Sequence, residues 1–271
     1  MSGSEGIGVC RRLVDHAMRR LLIVLLVSLW PSAGRAAEDV SVVDLYSDAE
    51  LVDGFVRTVF GNEGTFMPTP DARFVKKFAE PVRVFIDNRA SIDRTRDVKQ
   101  LVGVLNRSVR NLYISVVEDR TFANLIVFLV NRSAYRKTII ETLPRDYDST
   151  FLQRQRCSGV VNYSKFHRIQ HVQVYVVATE TRRDFMHCVS EEITQGLGPI
   201  NDDWRLKYSL YNDFAGVDSF GMFDWFILNM LYDHRIMPGM TEAEARKNLP
   251  AAIRDARERL QRLIALRRLQ R

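Results

Sequence analysis

Ser190-Glu191-Glu192-Ile193-Thr194-Gln195-Gly196-Leu197-Gly198-Pro199-Ile200-Asn201-Asp202-Asp203 is the stretch that decides how this 271-residue chain is read. Phe185, Val189, Ile193 and Leu197 recur every fourth position, so residues 182–198 are predicted to form a helix with one buried stripe, ended by glycine. The same register stacks His187, Glu191 and Gln195 on a second stripe, and Glu192 falls between the two. Two neighbouring carboxylates and an amide on one short helix mark the place where chemistry is to be sought.

Working outward, the segments before this helix alternate between helix and strand. Ser47-Asp48-Ala49-Glu50 has the form of a capping box, with apolar residues Leu51, Val52, Phe55, Val56, Val59 and Phe60 following at helical spacing. Gly61 ends that helix, and a loop follows to residue 71. Strands are predicted at 82–86, 112–117, 125–130, 158–163 and 172–177, with helices at 92–105 and 131–143. The run Leu125-Ile126-Val127-Phe128-Leu129-Val130 is apolar throughout, as a central strand covered on both sides should be. After the key helix comes an irregular stretch to residue 222, then a helix at 223–232, and a second capping box at Thr241-Glu242-Ala243-Glu244. Residues 251–271 read as a basic amphipathic helix. The fold class is α+β: one mixed sheet of about four or five strands with a helix pair packed on it.

The first 36 residues are read as a signal peptide, with cleavage near Ala36 or Ala37. Arg19 and Arg20 precede an apolar run from Leu21 to Trp30, and small residues follow. Met18 begins such a segment by itself, so either Met1 or Met18 serves as the start. Export to a periplasmic or extracellular space is the expectation, with residues 37–250 as the domain. The formal charge of +6 is partly targeting sequence. Five arginines against Glu5 and Asp15 lie in residues 1–36, so the mature net charge falls to +3, and nucleic acid is not an expected partner. Cys10 would be removed, leaving Cys157 and Cys188. In an oxidising compartment these two are predicted to form a disulfide that fastens the key helix to the segment around Cys157.

The spacing Glu191-Glu192-x-x-Gln195-x-x-Gly198-x-x-Asn201 resembles the His-Glu-x-x-His-x-x-Gly-x-x-His motif of metzincin metallopeptidases. Ser209-Leu210-Tyr211-Asn212 stands where those enzymes carry their Ser-x-Met turn, and residues 224–232 look like the helix that follows it. The resemblance spans about residues 80–235 and implies a zincin-like single domain. The chain also resembles a bacterial exported family, a domain of unknown function, through Cys188-x-x-Glu191-Glu192-x-Thr194-Gln195-x-Leu197-Gly198-x-x-Asn201-Asp202 followed by Ser209-x-Tyr211-Asn212-Asp213.

What this implies for chemistry is restrained by the ligand set. Glu192 stands at the general-base position, while Glu191, Gln195 and Asn201 replace three histidines. A primary amide is a poor zinc ligand, so neither a metal nor another cofactor is expected. The candidate catalytic residues are Glu192, Glu191 and Gln195, and the candidate binding residues are Asn201, Asp202, Tyr211, Asn212 and Asp213. Adjacent helix residues diverge by about 100°, which argues against Glu191 and Glu192 flanking one glycosidic bond. The opposing reading gives these groups a purely structural role, with Glu192 orienting the 201–203 loop and Gln195 bonding buried backbone. His187 and Glu191, four apart, form half of a metal site or simply pair with each other, and the pair is the expected reading. His167 and His171 share strand parity if that segment is extended, and are expected to be surface polar groups rather than ligands.

Trp204, Tyr208, Tyr211, Phe214, Phe220, Phe223 and Trp225 either pack the irregular loop or line a cleft. The reading that follows is a degenerate peptidase scaffold that binds a peptide or a cell-envelope component. The alternative is a hydrolase with Glu192 as general base. The basic tail is expected to dock on its own domain, with peripheral membrane contact as its second reading.

Overall fold

Six consecutive apolar residues, Leu125–Val130, form β3, and all six are buried. Side chains alternate across a strand, so such burial requires cover on both faces. A computed structural model describes residues 42–61, 70–143 and 155–269, and in it that cover is present. Leu125, Val127 and Leu129 join the main core, while Ile126, Phe128 and Val130 join a smaller one on the other face.

The sheet has five strands in the order β2-β1-β3-β5-β4. The other four are β1 (Val82–Asn88), β2 (Ile114–Val116), β4 (Cys157–Tyr163) and β5 (Ile169–Val177). β1 runs parallel to β2 and β3, and β3 runs parallel to β5. β4 runs antiparallel to β5 and forms one edge. About four or five strands were expected and five are present, and β2 is shorter than the apolar run from Leu112 suggested.

Six α-helices lie among the described residues: α1 (Asp48–Val59), α2 (Thr95–Ser108), α3 (Tyr135–Thr142), α4 (Arg182–Gln195), α5 (Met222–Leu231) and α6 (Glu242–Leu269). Tyr135 and Ile139 of α3 close the smaller core, and the other five helices contribute to the main core. The class is α+β, but helices lie on both faces rather than as one pair on one face.

Local chemistry sets the helix ends. The Glu50 amide donates to Ser47 Oγ and the Ser47 amide donates to Glu50 Oε2 at 2.8 Å, so the capping box starts α1 as read. α2 starts at Thr95 rather than 92, because the Asp93 carboxylate turns the chain by accepting from the Thr95 amide and from the Asn88 side chain. α4 stops at Gln195, short of 198. Gly198 takes φ +136°, and a side chain there would run into the Lys76 carbonyl.

The second capping box forms, with the Thr241 amide donating to Glu244 Oε2 at 2.8 Å. The helix it starts passes through Pro250, so the tail read as residues 251–271 belongs to a longer helix. Ala252, Ile253, Ala256 and Leu260 sit in the main core. Arg257 donates to the Val43 and Tyr46 carbonyls and to Asp48, and Arg259 donates to the Ser108 carbonyl. The basic side chains thus help dock the helix on its own domain. Val43–Arg271 form one compact unit. No helix among the described residues is long and apolar enough to cross a membrane. The signal-peptide reading, Cys10 and most of the 61–71 loop fall outside the described residues.

Candidate functional site

Cys157 opens β4 and Cys188 lies on α4, and the two form a disulfide with their Cα atoms 5.7 Å apart. The pairing read from the sequence is therefore present. It fastens α4 to the edge of the sheet and seats the following turn of α4, Glu191 and Glu192, against β4. Both carboxylates are buried. A Cβ built on Gly159 would lie 2.9 Å from Glu192 Oε2, so Glu192 packs where β4 carries no side chain. Glu191 turns the other way, with Oε2 3.3 Å from His187 Nε2. One oxygen of each carboxylate and the Cys157 sulfur still lie within 4.8 Å of one another. The sulfur is consumed by the disulfide and offers no thiolate.

Residues 199–221 fold over this part of α4 as a loop held by buried polar side chains. The Asn201 amide donates to the Arg57 carbonyl at 2.7 Å, and its backbone amide donates to the Thr58 carbonyl. These are carbonyls of the last turn of α1, which have no partner within their own helix. Asn201 therefore caps α1. The Gln195 amide donates to Asp202 Oδ1 at 2.7 Å. Asn212 is buried, donates to the Trp204 and Leu206 carbonyls and accepts from the Phe214 amide. Ser209 Oγ donates to Asp224 Oδ1 at 2.7 Å, and the Leu210 amide donates to the same oxygen. The turn at Ser209 is thus held from below by the first turn of α5. Burial pushes the Asp224 carboxyl above its ordinary range, against the lowering effect of these donors.

Tyr211 is fully buried, and the Thr194 side chain stands beside its hydroxyl. Burial raises its pKa well above the ordinary value, with Asp224 adding to the effect. Asp203 is clamped by Arg57 from α1 and by Arg205. Burial alone would raise its carboxyl, but the Arg205 side chain and amide together with Arg57 outweigh that and hold it at about 2.

The residues standing at the three metzincin ligand positions do not fit a zinc ion. Gln195 and Asn201 offer only neutral primary amides, which are poor zinc ligands, and each side chain is anchored inside the fold, to Asp202 and to the Arg57 carbonyl. No reaction step is drawn through such an ion. The sequence candidates divide accordingly. Glu191, Asp213 and His187 come together, and Glu192 stands beside them facing β4. Tyr211 and Asn212 lie buried in the loop's support, Gln195 is bound to Asp202, and Asn201 is engaged in capping α1. His167 and His171 do not share a strand face, since His167 occupies the turn before β5 with φ 59° and contacts Asp71.

Several groups escaped the sequence reading. Asp203 and Asp233 each accept both the backbone amide and the Nε of the arginine two residues on. That Asp-x-Arg repeat was a local signal available in the chain. Lys76 and Lys77 are buried, and nothing in their sequence neighbourhood marked them as such. Of the seven aromatic residues, Tyr211, Phe223 and Trp225 are core, whereas Trp204 is 73% exposed and Phe214 is 86% exposed. A charged surface concavity lined by Asp93, Thr95, Lys99 and Arg107 along α2 shares no residue with this site.

The family described as Protein of unknown function (DUF2927) matches residues 48–251, a span that includes every sheet strand, the disulfide and the whole 199–221 loop, and the chain belongs to that family.

Proposed function

We propose that this protein binds an extended peptide, of the kind exposed in a cell envelope, on a zincin-like scaffold without zinc-peptidase chemistry. The observation that carries this reading is the β4 edge. Among the described residues β4 pairs only with β5, and it lies over the Glu191–Glu192 turn of α4, tethered there by the disulfide. An edge strand presents a row of backbone donors and acceptors that a peptide satisfies by adding a strand. Exposed Trp204 and Phe214 on the loop over α4 supply apolar surface for alternate side chains of such a peptide.

The sheet order, with an antiparallel edge strand beside the helix that bears the motif, supports the zincin-like assignment. The engaged amides of Gln195 and Asn201 support the absence of ordinary zinc catalysis. A hydrolase using Glu192 as general base is the second reading, favoured by the burial of Glu192 beside that same strand.

The test is amide NMR of the mature, disulfide-intact protein during titration with a pool of random-sequence decapeptides. Shifts concentrated in residues 157–163 and at the Trp204 indole are the expected result, weakened in Trp204→Ala. Unchanged spectra at millimolar peptide would reject the binding reading. Cleavage of the pool that disappears in Glu192→Gln would replace it with the hydrolase.

A further inference from the structure

His187 and Glu191 stand one turn apart on α4, and Asp213 approaches them from the loop. One potential ligand atom from each lies within 4.8 Å of the other two. His187 Nδ1 is 2.9 Å from the Val217 carbonyl oxygen. A carbonyl oxygen only accepts, so Nδ1 carries the proton in that contact. The neutral ring then turns an Nε2 lone pair toward Glu191 Oε2, 3.3 Å away. Two acceptors facing at that distance need either a shared proton or a cation between them.

Three features favour the cation. Asp213 brings a second carboxylate oxygen within 4.8 Å of both the imidazole nitrogen and the Glu191 oxygen. Ligands held at about 2.0–2.2 Å in a tetrahedral array lie roughly 3.4 Å apart, which the His187–Glu191 pair already matches. The bond from Nδ1 to a backbone carbonyl is the outer contact that metal-ligating histidines make to fix their tautomer.

We propose that His187, Glu191 and Asp213 hold a divalent cation. One imidazole nitrogen with two carboxylate oxygens suits zinc or manganese rather than calcium. The site shares Glu191 with the metzincin-like ligand positions and adds His187 one turn before it, leaving Gln195 and Asn201 to their structural bonds. Asp213 and Val217 both lie on the loop, and Arg183 of α4 pairs with Asp218 at 2.8 Å. The ion therefore clamps the loop segment that carries Phe214 onto α4. This site stands independently of the peptide-binding reading.

The test uses tag-free, disulfide-intact protein, treated with EDTA, dialysed, and titrated by calorimetry with zinc sulfate and separately with manganese chloride. One equivalent of at least one ion is expected to bind, with affinity lowered about tenfold or more in both Asp213→Asn and His187→Ala. Gln195→Ala should bind within twofold of the parent. Asp213 is exposed, so Asp213→Asn retains the fold, and an unchanged circular dichroism spectrum checks this. The amides of residues 213–218 should shift on zinc addition in the parent and not in Asp213→Asn. No stoichiometric binding at millimolar ion, or binding that both substitutions leave intact, overturns the site.

Discussion

Asp224 ties two separate points of the 199–221 loop to α5, because one buried carboxylate accepts from the Ser209 hydroxyl and from the Leu210 and Gly221 amides. Replacing it with alanine leaves three donors without that acceptor, and each buried unsatisfied group costs about 1–3 kcal/mol. Asp224→Ala should therefore lose at least about 3 kcal/mol in urea unfolding, with faster amide exchange in residues 209–221. Gly159 offers a sharper experiment. Its missing side chain is the space that Glu192 fills, so Gly159→Ala must displace that carboxylate, at about 1–2 kcal/mol. A double-mutant cycle with Glu192→Ala checks this, since the penalty should shrink once the carboxylate is gone. An additive pair would mean that Glu192 does not pack there. Residue identities at this level were visible in the chain, but their partners were not. Asn201 matched a ligand position by spacing, and only the approach of α1 reveals it as a helix cap.

Elements whose determinants are local were legible. The Ser47–Glu50 and Thr241–Glu244 capping boxes start α1 and α6 where they were read, and the unbroken apolar run of β3 announced cover on both faces. The buried stripe of α4 was read correctly, whereas its end was not, because the chain stops being helical where Gly198 must pass the Lys76 carbonyl. The tail helix read from residue 251 begins earlier, running through Pro250 with Leu249, Ala252 and Ile253 all buried around it. β4 and β5 pair as a hairpin across residues 164–168, whereas the parallel pairing of β5 with β3 depends on contacts that no local pattern encodes. The disulfide joins β4 to α4 across 31 residues, and a loop of that length corresponds to about 3–4 kcal/mol in the chain-entropy account. Cys157→Ala with Cys188→Ala should lower stability by about that amount, and exchange should quicken in β4 more than in β3. Equal quickening in the two strands would show that the bridge acts only on the unfolded chain.

For the molecule as a whole, two buried lysines set an unusual dependence on pH. Burial pushes Lys76 and Lys77 down to about 8, and the Lys77 ammonium donates to the Leu231 carbonyl at 2.9 Å. Between about pH 8 and 10 the folded chain sheds these protons while the unfolded chain keeps them. The unfolded state then binds more protons, so stability rises with pH across that window. The rise owed to Lys76 is on the order of 2 kcal/mol, and it should vanish in Lys76→Met when urea midpoints are compared at pH 8 and 9.5. Asp203 acts at the other end. Its carboxyl is held at about 2, so the stability it contributes is present above about pH 4 and is lost as pH falls toward 2. The contacts of Arg257 bear on how the molecule is made. They join α6 to Tyr46 and Asp48 across 211 and 209 residues, so a ribosome releases one half of this junction long before the other. Until residues 242–260 emerge, the nascent domain keeps part of its main core uncovered, and its final closure waits on the last helix rather than on the sheet.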